Sequence, residues 1–217
     1  MIPHINEGSV FEYNNGIVSA KETTSYNNRG KFLERINYHP DGTVDQWWSW
    51  QFNEHNYIIE WNYHHPDGKL NYQETATYNE ARQQTEFIGR DRRQTTAYDG
   101  QGREVKFCLY LPDGSLNYIR ERVYDDNGNM ILEKWTWGVH KKTDITTYTY
   151  NELNQCIEEK GDPGNFMITS SRMVFIYNEE GLIKEEIEFT AAGEFVGRYF
   201  YEYNEFGEII TERYAAE

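Results

Sequence analysis

An aromatic residue followed by Asn or Asp recurs along this chain at a nearly fixed interval. Tyr26, Phe52, Tyr78, Tyr98, Tyr124, Tyr150, Tyr177 and Tyr203 are separated by 26, 26, 20, 26, 26, 27 and 26 residues. An earlier phrase, "FEYNNG", places Tyr13 at the head of the series. A period of this length means that each unit is one supersecondary element, which buries its faces only against its neighbours. The unit is plainest in "IYNEEGLIKEEIEF" (176–189) and "EYNEFGEIITERY" (202–214).

Each unit carries two turn signals. The first follows the aromatic: Asn or Asp opens it, because its side chain can bond its own backbone two residues on. Gly closes it at a position of positive φ, as in a three-residue hairpin loop ending in a bulge. Asn56 and Asn154 stand where other units have Gly, and Asn is the non-Gly residue that best tolerates the left-handed region. The second turn lies mid-unit, as "HPDG" at 39–42 and 65–68, "LPDG" at 111–114 and "TAAG" at 190–193. Between turns run short segments rich in Tyr, Phe, Trp, Ile, Val and Thr. Several alternate, such as Ile59, Trp61 and Tyr63, and a period of two predicts strands. The predicted fold is therefore all-β. It is one domain over residues 1–217, a long antiparallel meander of about eight β-hairpin repeats of about 26 residues. About sixteen strands in one sheet predict strong twist and curvature, or folding into two layers.

The phrases "YDGQG" (98–102), "YDDNG" (124–128), "YNEEG" (177–181) and "YNEFG" (203–207) resemble the YD, or RHS, repeat family. The resemblance spans roughly residues 11–217, although only Asp99 and Asp125 supply the Asp and the period is longer than the family's. It implies a β-hairpin repeat. Large family members build shells around toxic cargo. A short acidic chain of this kind would suit an immunity role beside an RHS-type polymorphic toxin in a bacterium. "GDPGN" at 161–165 has some likeness to the family's self-cleaving core motif and is read as a turn.

Charge narrows the partners. The chain has 36 acidic and 21 basic residues, a net charge of −15. Residues 150–217 hold 15 acidic and 5 basic side chains, a net of −10, which leaves −5 for the rest. Such a surface repels nucleic acid and anionic membranes and favours a basic protein partner. The opening "MIPHINEGSVFEYNNG" has no basic stretch followed by an apolar run, so a cytoplasmic protein is expected. Cys108 and Cys156 are too few for a disulfide framework and lack metal-ligand spacing, and both are expected to pack buried or half-buried. No cofactor or metal is expected, since the chain has no P-loop, dinucleotide fingerprint or G-x-S-x-G.

A Glu recurs eight or nine residues after each aromatic: Glu34, Glu60, Glu86, Glu133, Glu159, Glu186 and Glu212. Two of them could serve a hydrolase as paired carboxylates. Recurrence in nearly every unit instead marks a role within the unit, as cross-strand pairing with Lys or Arg.

The expectation is a non-enzymatic binding protein, an immunity protein that neutralises a basic toxin domain. Three groups are candidate partner-binding residues. Trp47, Trp48, Trp135 and Trp137 are aromatic anchors, and the adjacent Trp47 and Trp48 must face opposite sides of a strand. Arg90, Arg92, Arg93, His140, Lys141 and Lys142 are basic and lie in irregular mid-unit turns, where binding on a regular scaffold tends to reside. Glu179, Glu180, Glu185 and Glu186 belong to the acidic final repeats. The alternatives are a carbohydrate-binding or cell-surface module, stacking sugars on Trp and Tyr, and the hydrolase.

Overall fold

A computed structural model describes residues 6–14, 17–138, 142–162 and 172–216. Seventeen strands follow one another: β1 Asn6–Asn14, β2 Ile17–Tyr26, β3 Phe32–Tyr38, β4 Val44–Phe52, β5 Ile58–His64, β6 Leu70–Tyr78, β7 Gln84–Ile88, β8 Arg93–Tyr98 and β9 Glu104–Tyr110, then β10 Leu116–Tyr124, β11 Met130–Trp137, β12 Lys142–Tyr150, β13 Cys156–Gly161, β14 Arg172–Tyr177, β15 Ile183–Phe189, β16 Phe195–Tyr203 and β17 Ile209–Ala215. β1 to β8 pair antiparallel in chain order, and so do β10 to β17, as a meander requires. No helix occurs among the described residues. The all-β hairpin meander is thus the observed fold, with one strand more than the repeat count predicts. The chain forms two compact units, Met1–Thr96 with Tyr110–Gly114, and Ala97–Leu109 with Ser115–Glu217.

The turn after each aromatic has the chemistry read from the sequence. In the first, the Asn27 N–H donates to Lys31 O, and the Gly30 N–H donates back to Asn27 O. The Asn27 side-chain oxygen accepts the N–H groups of Arg29 and Lys31 at 2.9 and 3.0 Å. Asn178 repeats this with Glu180 and Leu182, at 3.1 and 2.9 Å. A bulge precedes the aromatic in seven of these hairpins, for example between Ser25 and Tyr26 and between Thr149 and Tyr150. Asn56 and Asn154 have φ of 69° and 60°, as expected of stand-ins for Gly. The sequence reading missed a third stand-in: Arg82 adopts φ of 67° in "NEARQ". Arg82→Gly should therefore gain up to about 1 kcal/mol in urea denaturation. An equal loss would mean that the Arg82 side chain is needed.

Structure also explains why the repeat keeps Tyr and not any aromatic. Its hydroxyl donates to a backbone carbonyl in the preceding repeat. Tyr78 bonds Ile58 O, Tyr124 bonds Glu104 O, Tyr150 bonds Met130 O, Tyr177 bonds Cys156 O and Tyr203 bonds Ile183 O, at 2.6 to 3.1 Å. Each bond ties one hairpin to the one before it. Burial raises the pKa of Tyr78, Tyr150 and Tyr177, so these phenols remain donors. Tyr150→Phe and Tyr177→Phe should each cost about 1 kcal/mol in urea denaturation. No loss at either position would exclude the staple.

There is little hydrophobic core in the usual sense. Among the described residues only Cys108 and Ile187 are buried hydrophobics, whereas Thr24, Asn62, Asp144 and Thr146 are buried polar residues. Cys156 is half-buried, and both thiols are free. Rings lie half-exposed against one another: Tyr63 stacks on Tyr72 at 5.3 Å and Tyr57 on Tyr78 at 5.1 Å. Trp61, on the same strand face as Ile59 and Tyr63, is 38% exposed, while its neighbour Asn62 is buried.

Candidate functional site

The sequence-derived candidates fall into separate places. Trp47 and Trp48 face opposite sides of β4. Trp47 donates its indole N–H to Glu34 Oε1 at 2.8 Å and packs 5.0 Å from the His64 ring. Trp48 lies 6.1 Å from Tyr63 on the other side. Both are half-buried and held within the sheet. Trp135 and Trp137 share one face of β11 and stack at 5.7 Å. Tyr118 lies 5.1 and 5.4 Å from them, and the Arg120 guanidinium sits 5.4 Å from the Trp135 ring. Trp137 donates to Asp144 Oδ2 at 3.1 Å, and Asp144 is 1% exposed.

Arg90 and Arg92 converge on a concavity of about 420 Å³ with Trp61, Glu74 and Phe87. Arg90 lies over the Tyr72 ring and Arg92 over the Phe87 ring, at 5.6 and 5.5 Å. Arg93 is spent differently, on an ion pair with Glu86 at 2.8 Å and on the Tyr110 ring. Lys142 opens β12 opposite Trp137. His140 and Lys141 lie outside the described residues.

The recurring Glu divides into two classes. Residues eight and nine positions after the aromatic point to opposite faces of a strand. The former class holds Glu34, Glu60 and Glu86; the latter holds Glu133, Glu159, Glu186 and Glu212. Pairing with Lys or Arg accounts for only part of them. Glu86 meets Arg93 and Glu133 meets Arg122, each at 2.8 Å. Glu34 instead accepts from Trp47, Glu60 from Gln51 and Asn62, and Glu186 from the Tyr201 hydroxyl. Burial and the nearby Glu133 carboxylate raise the pKa of Glu159. A folded carboxyl that holds its proton more tightly than the unfolded one loses stability as pH rises through the carboxylate range. Glu159→Gln should therefore gain stability at pH 7 and keep none of that gain below about pH 4, by urea denaturation at both values. A loss at pH 7 would mean that the ionised form is the one the fold favours.

Sequence reasoning overlooked the regular edge made by the turns of the second unit. The turns at 124–128, 150–154, 177–181 and 203–207 connect β10 to β11, β12 to β13, β14 to β15 and β16 to β17. In a meander they leave from one edge, two strands or roughly 10 Å apart. Asp126, Glu152, Glu179, Glu180 and Glu205 are exposed there and make no ion pair among the described residues. Interleaved with them are Leu153, 76% exposed, and Phe206, 78% exposed. Glu185, by contrast, is held by Arg198 at 3.2 Å, and Glu186 by Tyr201. The four acidic candidates thus separate into two exposed turn carboxylates without an ion pair among the described residues, of which Glu180 accepts from the Asn178 amide at 3.2 Å, and two engaged within the sheet.

No family model matches the sequence, and no curated protein does. Among solved structures, the fold is similar to part of the TcdB2-TccC3 crystal structure. The TM-score is 0.44 at 10% identity, over 98% of this chain and 14% of that one. The Photorhabdus luminescens Tc holotoxin pore gives 0.43 at 10% identity, with the same coverage. A porin-like protein from Bacteroides uniformis gives 0.39 at 10% identity, over 98% of this chain and 96% of the other. This chain spans about 14% of the length of the TcdB2-TccC3 chains that it matches. At TM-scores below 0.5 these likenesses carry no inference about function, and the hairpin repeat stands on the chain's own hydrogen bonds.

Proposed function

We propose that this protein is a non-enzymatic binding protein that captures a basic protein partner on the turn edge of its second unit. The observation that carries the reading is the row of exposed turn carboxylates, Asp126, Glu152, Glu179, Glu180 and Glu205, which make no ion pair among the described residues and are interleaved with the exposed Leu153 and Phe206; of the five, Glu180 accepts one hydrogen bond, from the Asn178 amide at 3.2 Å. Carboxylates that hold no ion pair within the described residues break none when they turn toward a partner's Lys and Arg, and they steer its approach. Exposed Leu and Phe at the same tips supply apolar contact once the partner arrives. The resemblance of the turn phrases to YD repeats supports a toxin domain as that partner and a cytoplasmic immunity role for the protein.

The test is co-expression with a toxin domain encoded beside this chain's gene, followed by titration of the two purified proteins. Protection of growth and a submicromolar, salt-sensitive complex are expected. A chain that neither protects nor binds is not an immunity protein.

A further inference from the structure

The staple between repeats has a gap. At Tyr78, Tyr124, Tyr150 and Tyr203 a hydroxyl donates to the carbonyl twenty residues earlier. The equivalent residue of the second repeat is Phe52, which has no hydroxyl. Phe52 therefore brings no hydroxyl to the Phe32 carbonyl, twenty residues before it.

A concavity of about 490 Å³ opens beside this gap. Lys31, Phe32, Trp50, Phe52, Tyr57 and Tyr78 line it. Its volume lies in the range of small-ligand sites, and its walls are mostly rings. Phe32 and Tyr57 are each 39% exposed there. Tyr57 already stacks on Tyr78, and Phe32 lies 6.1 Å from Trp50, so the walls offer ring faces and edges to an added ring. The exposed Lys31 ammonium makes no ion pair among the described residues. It disfavours a Lys or Arg occupant and suits the π face of a ring.

We propose that this concavity docks a tyrosine side chain of a partner polypeptide. Its ring packs on Trp50 and Tyr57, and its hydroxyl donates to the Phe32 carbonyl, as the chain's own tyrosines do in other repeats. Phenylalanine fills the apolar walls but brings no donor. Serine and threonine bring a donor but no ring. The site lies in the first unit and is independent of the acidic edge.

The probes are N-acetyltyrosinamide and N-acetylphenylalaninamide, each titrated into the full chain and followed by amide and indole NMR shifts. The tyrosine amide should bind at millimolar concentration and perturb Phe32, Trp50 and Tyr57. The phenylalanine amide should bind about fivefold more weakly, the worth of one net hydrogen bond. Phe52→Tyr supplies the hydroxyl from within. It should abolish the fivefold preference and raise the melting temperature. Equal affinities in the wild type, a preference that survives in Phe52→Tyr, or shifts produced by methyl glucoside and by neither amide would overturn the proposal.

Discussion

Gly138→Ala is expected to destabilise the protein by about 3 kcal/mol, at the upper end of what overpacking costs. A Cβ at this position would lie 1.8 Å from the Leu116 carbonyl oxygen and 2.7 Å from its carbon. Both atoms are backbone, and Leu116 opens β10. The Gly138 N–H also donates to Asn117 O at 2.8 Å. Relief would have to move β10 against β11, where Tyr118 pairs with Trp137 and their rings touch. Gly197 gives the contrast. A Cβ there would meet the Tyr214 ring, its nearest atom 2.3 Å away, but that ring is 51% exposed and can swing aside. Gly197→Ala should thus cost about 1 kcal/mol, and Gly100→Ala, which meets nothing within 4 Å, should stay within about 0.5 kcal/mol. Urea denaturation of the three variants orders them. A Gly138→Ala loss as small as that of Gly100→Ala would contradict the described closure of β10 on β11.

Much of the architecture was legible because it is local. An Asn or Asp that bonds its own turn, and a Gly or Asn at positive φ, announce a hairpin within five residues. Repetition then multiplies that signal along the chain. Arg82 escaped because nothing in an Arg marks the left-handed region; only its place in the period does. The tyrosine staple escaped because it joins residues twenty apart on different strands. The sequence marked the turn aromatic only as a punctuation of the period, whereas in five repeats its hydroxyl bonds a backbone carbonyl of the repeat before. The recurring Glu looked like one class because counts of eight and nine differ by a single residue, yet that residue reverses the strand face. Burial was the least legible. Alternation placed Ile59, Trp61 and Tyr63 on one face without saying which face is covered, and the sheet buries Asn62, which donates to Glu60 at 2.6 Å.

The candidate site was legible in charge and not in geometry. Composition placed the acid in the final repeats, but it could not separate Glu185 and Glu186, engaged by Arg198 and Tyr201, from Glu179 and Glu180 at the turn. The row that includes Asp126, Glu152 and Glu205 emerges only when the turns are brought to one edge.

That row carries the central claim, and association kinetics test it most directly. Asp126→Lys, Glu152→Lys, Glu179→Lys and Glu205→Lys together change the charge by about +8, and steering of a basic partner scales with such a field. These carboxylates hold no ion pair among the described residues, so the melting temperature should stay within a few degrees. The matched control, Glu185→Lys, breaks the contact with Arg198 and should lower it. Against a basic toxin domain encoded beside the gene, the fourfold variant should associate about ten- to a hundredfold more slowly at low salt. The wild-type advantage should fade by about 0.5 M salt, where screening shortens to a few ångströms. Dissociation should change less, because short-range contacts set it. An on-rate that does not move in a variant that remains folded would show that the turn carboxylates only keep the protein in solution.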